Sequence, residues 1–362
     1  MKHYNIPIFI PHLGCPFNCI FCNQKRIARL EPAPDPAAVS HMVQSALNTI
    51  PASAAEREIE VAYFGGSFTA LDKALQEEYL LALQPLLKLG AIAGIRLSTR
   101  PDFIDSSVLD LLADYGVTTI ELGVQSLNEK VLEASGRGYS SQAVVGACRL
   151  IKQSGFRLGI QLMTGLPEDC IEYDMETIFK TIQLDPDIVR IYPTLVIKNT
   201  RLATMYEQGR YQPLELDEAV DICAWMFMYL QQQDIKVIRM GLHPSEELRE
   251  EGVIIAGPFH PAFGELVEQL VFQKQAQTLL HDYIQSQPGT RDLEIYSSSR
   301  DLSKMLGYRK KNLCYLKRLS GMVHGVKGHP GLEPNELGIG PVSSAHPDMK
   351  LSRATFLSTY LQ

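Results

Sequence analysis

Short apolar runs that end in small or polar residues alternate with longer stretches whose apolar positions recur three and four apart. The short runs predict strands at 5–10, 59–64, 94–98, 118–124, 157–163 and 187–192. The longer stretches predict helices. Val108, Leu111, Leu112 and Tyr115 share one helical face, with Asp105 as its cap and Gly116 as its stop. A second helix is expected to open at Asp72 and close at Gly90, and a third to run from about Glu215 to Gln233. Six strand–helix units in succession imply a parallel sheet with right-handed crossovers. Six units are too few to close an eight-stranded barrel. A seventh apolar run, Ile235 to Met240, follows the third helix, and there the rhythm stops. The expected domains are therefore 1–245 and 246–362, the second opening on an amphipathic helix from Gly264 to Gln285. The fold class is α/β, with a smaller C-terminal α+β region. Ligands of such sheets sit at the carboxyl ends of the strands.

Composition narrows the class. At 362 residues, 45% hydrophobic and 21% charged, the chain is globular and long enough for roughly two domains. No apolar run approaches a membrane span, and the first residues lack the features of a signal peptide. Cys148, Cys170, Cys223 and Cys314 are scattered singly in an odd total of seven, which is no disulfide framework and fits a reducing cytoplasm. A net charge of −7 excludes nucleic-acid binding by overall charge, but not a local basic patch. One exists. From Leu302 to Leu332 there is no acidic residue, against Lys304, Arg309, Lys310, Lys311, Lys317, Arg318 and Lys327. Clustered cations are the footprint of phosphate-backbone binding, and Tyr308 and Tyr315 add faces for unpaired bases. A solvated helix face explains the same charges equally well. Gly307-Tyr308-Arg309-Lys310 resembles the Gly-x-x-Gly loop of KH domains, with Lys310 in place of the second glycine.

The remaining three cysteines, Cys15, Cys19 and Cys22, are spaced Cys-x3-Cys-x2-Cys, joined by the Pro-rich connector Glu31 to Pro36 to the first helix. A [4Fe–4S] cluster takes four cysteines when the protein ligates it fully, so three leave one iron open to another ligand. With His12 nearby, a Cys3His zinc site is the alternative.

With Phe21 before the last cysteine, this loop resembles that of the radical S-adenosylmethionine (radical SAM) superfamily. The resemblance implies an open six-unit partial (β/α) barrel, with Cys15, Cys19 and Cys22 on a [4Fe–4S] cluster whose free iron chelates SAM. An electron from the cluster then cleaves SAM to methionine and a 5′-deoxyadenosyl radical that takes hydrogen from a substrate. It implies a reductant partner such as flavodoxin or ferredoxin. Other strand-end motifs match in order. Gly65, Gly66 and Ser67 follow the second strand, where the family keeps a Gly-Gly motif ending in an acid rather than a serine. Thr99 follows the third, and Gln125 and Ser126 the fourth; their amides and hydroxyls suit a ribose. Arg137 suits the SAM carboxylate, and Gln161 lies in a segment similar to the one lining the adenine. His260 and Glu265 lie in an aromatic loop and His243 nearby, with no assigned role.

Over residues 5–245 these strings look most similar to the radical SAM half of the elongator catalytic-subunit family, which modifies wobble uridine in tRNA. More loosely they resemble the oxygen-independent coproporphyrinogen oxidases. The chain after Met240 is too short for the elongator acetyltransferase domain plus a connector, so that chemistry is not carried over. The expected function is a radical SAM enzyme acting on an RNA nucleoside, in tRNA. The alternative is a non-catalytic carrier of haem or another tetrapyrrole on the same fold.

Overall fold

The structure is a computed structural model that describes residues 2–10, 15, 19–23, 33–51, 57–242, 248 and 250–362. The chain forms two compact units, Met1–Glu215 with Ile235–Phe259, and Leu216–Asp234 with His260–Gln362.

The first unit is built on a sheet of seven parallel strands, in order β1 (Lys2–Phe9), β2 (Arg57–Phe64), β3 (Gly94–Thr99), β4 (Val117–Gln125), β5 (Arg157–Thr164), β6 (Ile188–Pro193) and β8 (Lys236–Met240). Each strand pairs with its predecessor, so every connection is a crossover with the same sense of travel. The curled sheet is a half-barrel of the α/β type. The six expected strands are all present, but the sheet has a seventh. The run Ile235–Met240, which the rhythm left uncounted, pairs along β6 as Val189 with Val237 and Ile191 with Met240.

The helix expected from Asp72 to Gly90 is two helices, Lys73–Leu81 and Gln84–Lys88. Pro85 explains the break. It has no N–H to donate, and its ring would meet the carbonyl one turn back. Asp105 caps its helix as expected, accepting the Val108 N–H at 2.9 Å.

Strand alternation divides the sheet into two chemistries. One face carries Ile8, Val61, Ile95, Leu97, Ile120, Leu122, Ile160 and Val189, all buried beneath the helices. There Tyr63 stacks on Phe68 at 5.1 Å and donates its hydroxyl to the Tyr79 carbonyl at 2.6 Å. The other face is charged. Fully buried Glu60 accepts from Arg96 at 2.6 Å, Arg157 at 2.7 Å, Thr118 at 2.7 Å and Thr119 at 2.9 Å. Glu121 bridges Arg96 at 2.9 Å and Arg190 at 2.6 Å. Glu121 needs space on the neighbouring strand. A Cβ at Gly159, its register partner, would lie 2.7 Å from the Glu121 Cγ, so this position takes no side chain.

Two short strands, β7 (Val196–Ile197) and β9 (Ile254–Ala256), pair antiparallel in the same unit. The second unit packs helices Leu216–Gln232 and Phe263–Ser286 with a four-stranded sheet ordered β11 (Val323–Gly328), β10 (Leu293–Ser297), β12 (Leu337–Pro341) and β13 (Met349–Leu351). β10 runs parallel to β11 and antiparallel to β12.

Candidate functional site

The described part of the cysteine loop is fastened on both sides. Ile20 donates to the Ser135 carbonyl at 3.3 Å, and Leu202 donates to the Ile20 carbonyl at 2.8 Å. Ile20 is buried with Val196, Leu202 and Ala203, and Phe21 packs against the same cluster. Phe21 thus anchors the loop through its ring. The thiols of Cys15, Cys19 and Cys22 are half-buried and unbridged.

Arg137 joins this loop to the end of β4. Its Nη1 donates to the Cys19 Sγ at 2.8 Å, Nη2 to the Gly123 carbonyl at 2.6 Å, and Nε to the Tyr139 hydroxyl at 2.8 Å. All three guanidinium nitrogens therefore have protein partners, and the fork expected to face a carboxylate is turned onto a cysteine. Tyr139 donates in turn to the Gly123 carbonyl at 2.6 Å. Burial opposes the Arg137 charge, but Tyr139 and Cys19 outweigh it and hold its pKa up. Arg100 supports the arrangement, donating to the Arg137 carbonyl at 2.5 Å and pairing with both oxygens of Asp102 at 2.9 Å.

The Gly-Gly loop after β2 meets the other end of the cysteine loop. Gly65 takes a φ of +101°, open to glycine alone, and a Cβ there would sit 3.4 Å from the Ile10 backbone. Gly66 completes the turn, and the Ser67 amide hydrogen-bonds the Cys15 thiol. Burial, then neighbouring Cys19, push the Cys15 thiol up; Arg100, Arg137 and that amide pull it down. The Ser67 hydroxyl is buried and paired with Thr99 at 3.0 Å, and Thr99 with Thr69 at 2.6 Å. Ser126 is similarly engaged, facing Thr177 at 3.1 Å and accepting the Asn128 N–H at 3.2 Å. These hydroxyls lock the strand ends to one another. Gln125, at a φ of +71°, accepts from Gln161 at 3.1 Å, placing two paired amides on the charged face of the sheet.

The structure thus brings Cys15, Cys19, Ser67, Arg137 and the end of β4 together. His243 lies outside the described residues, as does His12 of the zinc alternative. His260 accepts the Ala262 N–H at 3.1 Å within its own turn, and Glu265 lies in the first turn of helix Phe263–Ser286. Among the described residues no three His, Cys, Asp or Glu side chains converge around a single ion. Sequence reasoning passed over Arg100 and Tyr139, although Tyr139 stands two residues from Arg137 in the same Gly-rich string. It also passed over Asp169 and Asp174 beyond β5. There the Asp169 carboxylate accepts the Gly165 N–H at 3.0 Å, and Asp174 accepts from Thr164 at 2.5 Å. Burial raises Asp169 to about 6, and burial together with Asp169 raises Asp174 well above the usual carboxylate range. The two carboxyls titrate as a coupled pair, both shifted upward.

Two family models match the chain. Residues 9–179 match the model of the radical SAM superfamily, and residues 186–272 the radical SAM C-terminal domain. The chain belongs to the radical SAM superfamily and is an enzyme of that class, with a [4Fe–4S] cluster and SAM as cofactors. Among curated proteins it is similar to the tRNA uridine(34) acetyltransferase of Methanocaldococcus jannaschii, 31% identical over 188 residues, which are 46% of this chain and 35% of that protein. It is also similar to Elongator complex protein 3 of Saccharomyces cerevisiae, 31% identical over 207 residues, 49% of this chain and 37% of that protein. The match thus spans little more than a third of these relatives' length. The solved structure of archaeal Methanocaldococcus infernus Elp3 with an N-terminal deletion shares the fold, with a TM-score of 0.58 at 23% identity over 76% of this chain and 64% of that one.

The donor set fits an iron–sulfur cluster. A ligated cluster is anionic, and here its loop offers three thiols, a guanidinium and a backbone amide, each of the last two on a cysteine sulfur. Among the described residues no helix is long and apolar enough to cross a membrane.

Proposed function

We propose that Cys15, Cys19 and Cys22 hold the cluster, that the ends of β2 to β5 hold SAM, and that the hydrogen donor is a nucleoside of RNA, in tRNA. When bound and reduced, the cluster supplies the electron that cleaves SAM to methionine and a 5′-deoxyadenosyl radical. A cytoplasmic reductant such as flavodoxin or ferredoxin would deliver it.

This chain's residues do the rest. Arg137 and the Ser67 amide neutralise charge on the Cys19 and Cys15 sulfurs. Phe21 and Ile20 fix the loop against β7 and helix Arg201–Glu207. Gly65 and Gly66 let a ligand approach the backbone at the end of β2. Gln125 and Gln161 offer amides on the charged face. The hydroxyl pairs Ser67–Thr99 and Ser126–Thr177 keep the strand ends in register behind them.

The observation that carries the cluster assignment is the Arg137 bridge from Cys19 to the end of β4. The names of the similar proteins support an RNA substrate, and so does the basic segment Leu302–Leu332. A transcript labelled with deuterium at its uridine carbons, incubated with the reduced enzyme and SAM, tests that reading. Deuterium is expected in the 5′-deoxyadenosine recovered. Turnover with every RNA position labelled and no deuterium transferred would remove RNA as the hydrogen donor.

A further inference from the structure

In the second unit the connection from β10 to its parallel neighbour β11 is made of two helices, Leu302–Leu306 and Lys311–Ser320. The turn between them is Gly307-Tyr308-Arg309-Lys310, the position a Gly-x-x-Gly loop needs if it is to project from a helix pair. Its backbone is costly. Gly307 has a φ of +75°, and a Cβ there would lie 2.9 Å from the Asn312 side chain. Arg309 and Lys310 follow at +51° and +62°, conformations that bulky residues rarely adopt.

The turn is held from beneath rather than left loose. The Tyr308 N–H donates to the Gln269 side chain at 2.8 Å, and Asn312 donates to the Gln269 carbonyl at 2.8 Å and the Lys304 carbonyl at 3.3 Å. What it presents outward is an aromatic face and cations. Tyr308 is 54% exposed, with the Arg309 guanidinium 5.2 Å from its ring centre and the His260 ring edge-on at 6.3 Å.

Charge sorts the seven cations of this segment into two groups. Lys304 pairs with Glu268, Lys311 with Asp217 and Lys327 with Glu294. Among the described residues Arg309, Lys310, Lys317 and Arg318 make no ion pair, and all four are exposed. Lys317 and Arg318 lie in the last turn of helix Lys311–Ser320, so the helix carries exposed charge onward from the loop. A solvated helix face needs none of the strain at Arg309 and Lys310, nor an exposed tyrosine at its tip.

We propose that this turn and the stripe behind it form a clamp for single-stranded RNA, Tyr308 stacking on an unpaired base while Arg309, Lys310, Lys317 and Arg318 take consecutive phosphates. The inference rests on the reading of RNA as substrate and names the form in which it is held. A base within a duplex keeps its faces stacked on its neighbours. A protruding tyrosine beside a guanidinium therefore selects the unpaired strand.

Fluorescence anisotropy with the whole protein tests this, using a labelled 12-nucleotide oligouridylate and a labelled RNA duplex of equal charge per strand. The wild type is expected to prefer the single strand. Tyr308→Ala should weaken it about tenfold, and Tyr308→Phe should restore it. Arg309→Gln with Lys310→Gln should reduce the slope of log affinity against log salt by about 1.4, the value for two phosphate contacts on a single strand. Equal affinity for the duplex, or for an acidic polyglutamate peptide, would overturn the clamp, as would an unaltered affinity in Tyr308→Ala. The two readings separate cleanly. Deuterium transfer from RNA by an enzyme whose loop variants bind normally defeats the clamp alone. Selective, Tyr308-dependent binding without transfer defeats the substrate assignment alone.

Discussion

Arg137 commits its whole guanidinium to Cys19, Gly123 and Tyr139, so under the proposed assignment its effect on the chemistry runs through the Cys19 sulfur. Hydrogen bonds to the sulfurs help set the potential of an iron–sulfur cluster. Removing a charged donor should make the cluster harder to reduce. Arg137→Met is expected to lower the midpoint by about 60 mV or more, the one-electron equivalent of about 1.4 kcal/mol, near the low end for a charged hydrogen bond. A redox titration followed by electron paramagnetic resonance reads it, and an unmoved midpoint would detach Arg137 from the cluster. The cysteines were legible because three thiols so closely spaced have few uses besides holding a metal or cluster. Arg137 was legible as a cation at a strand end, but its partner was not. Its loop neighbours suggested a carboxylate, and only the fold shows that Cys19, 118 residues away in sequence, is the group it reaches.

The strands were legible from one face of the sheet, because Ile95, Leu97, Ile120 and Leu122 alternate as buried residues must. The other face was not. Glu60, Arg96, Glu121 and Arg190 each read singly as a solvated residue, and only strand register assembles them into a buried network. Burial would raise the Glu60 carboxyl, yet Arg96, Thr118 and Arg157 outweigh it and hold it at about 2. A carboxyl depressed below its unfolded value of about 4.3 stabilises the fold above that pH and loses the contribution as pH falls through about 2. Glu60→Gln leaves Arg96 and Arg157 poorly compensated. It is expected to cost about 3–5 kcal/mol, read as a lowered midpoint in urea; a change under about 0.5 kcal/mol, the range of ordinary surface substitutions, would show the network to be dispensable. Asp169 and Asp174 work in the opposite direction. Asp169 is raised to about 6 from an unfolded value of about 3.9. Its contribution is full below that lower value and is lost as pH rises through about 6. Asp174→Asn removes one of the two raised carboxyls and leaves that of Asp169, so the fall in stability with rising pH should become shallower and end as pH passes about 6. A variant that keeps the wild-type pH slope would contradict the raised Asp174 carboxyl.

At the scale of the whole chain, the strand–helix rhythm carried the reading as far as β6, and a single omission followed. β8 was seen as an apolar run but not counted, because helix Leu216–Gln232, which precedes it, belongs to the second unit and breaks the repeat. The basic segment was visible as composition, whereas the left-handed turn at Arg309 and Lys310 that projects it was not, since neither residue type signals such a conformation. The most direct test is anaerobic reconstitution with iron and sulfide, reduction with dithionite, and chromatography for 5′-deoxyadenosine formed from added SAM. Product is expected from the wild type, and neither cluster nor product from Cys19→Ala. A reconstituted wild type that cleaves no SAM with or without tRNA, or a Cys19→Ala variant that retains full iron, sulfide and product, would contradict it.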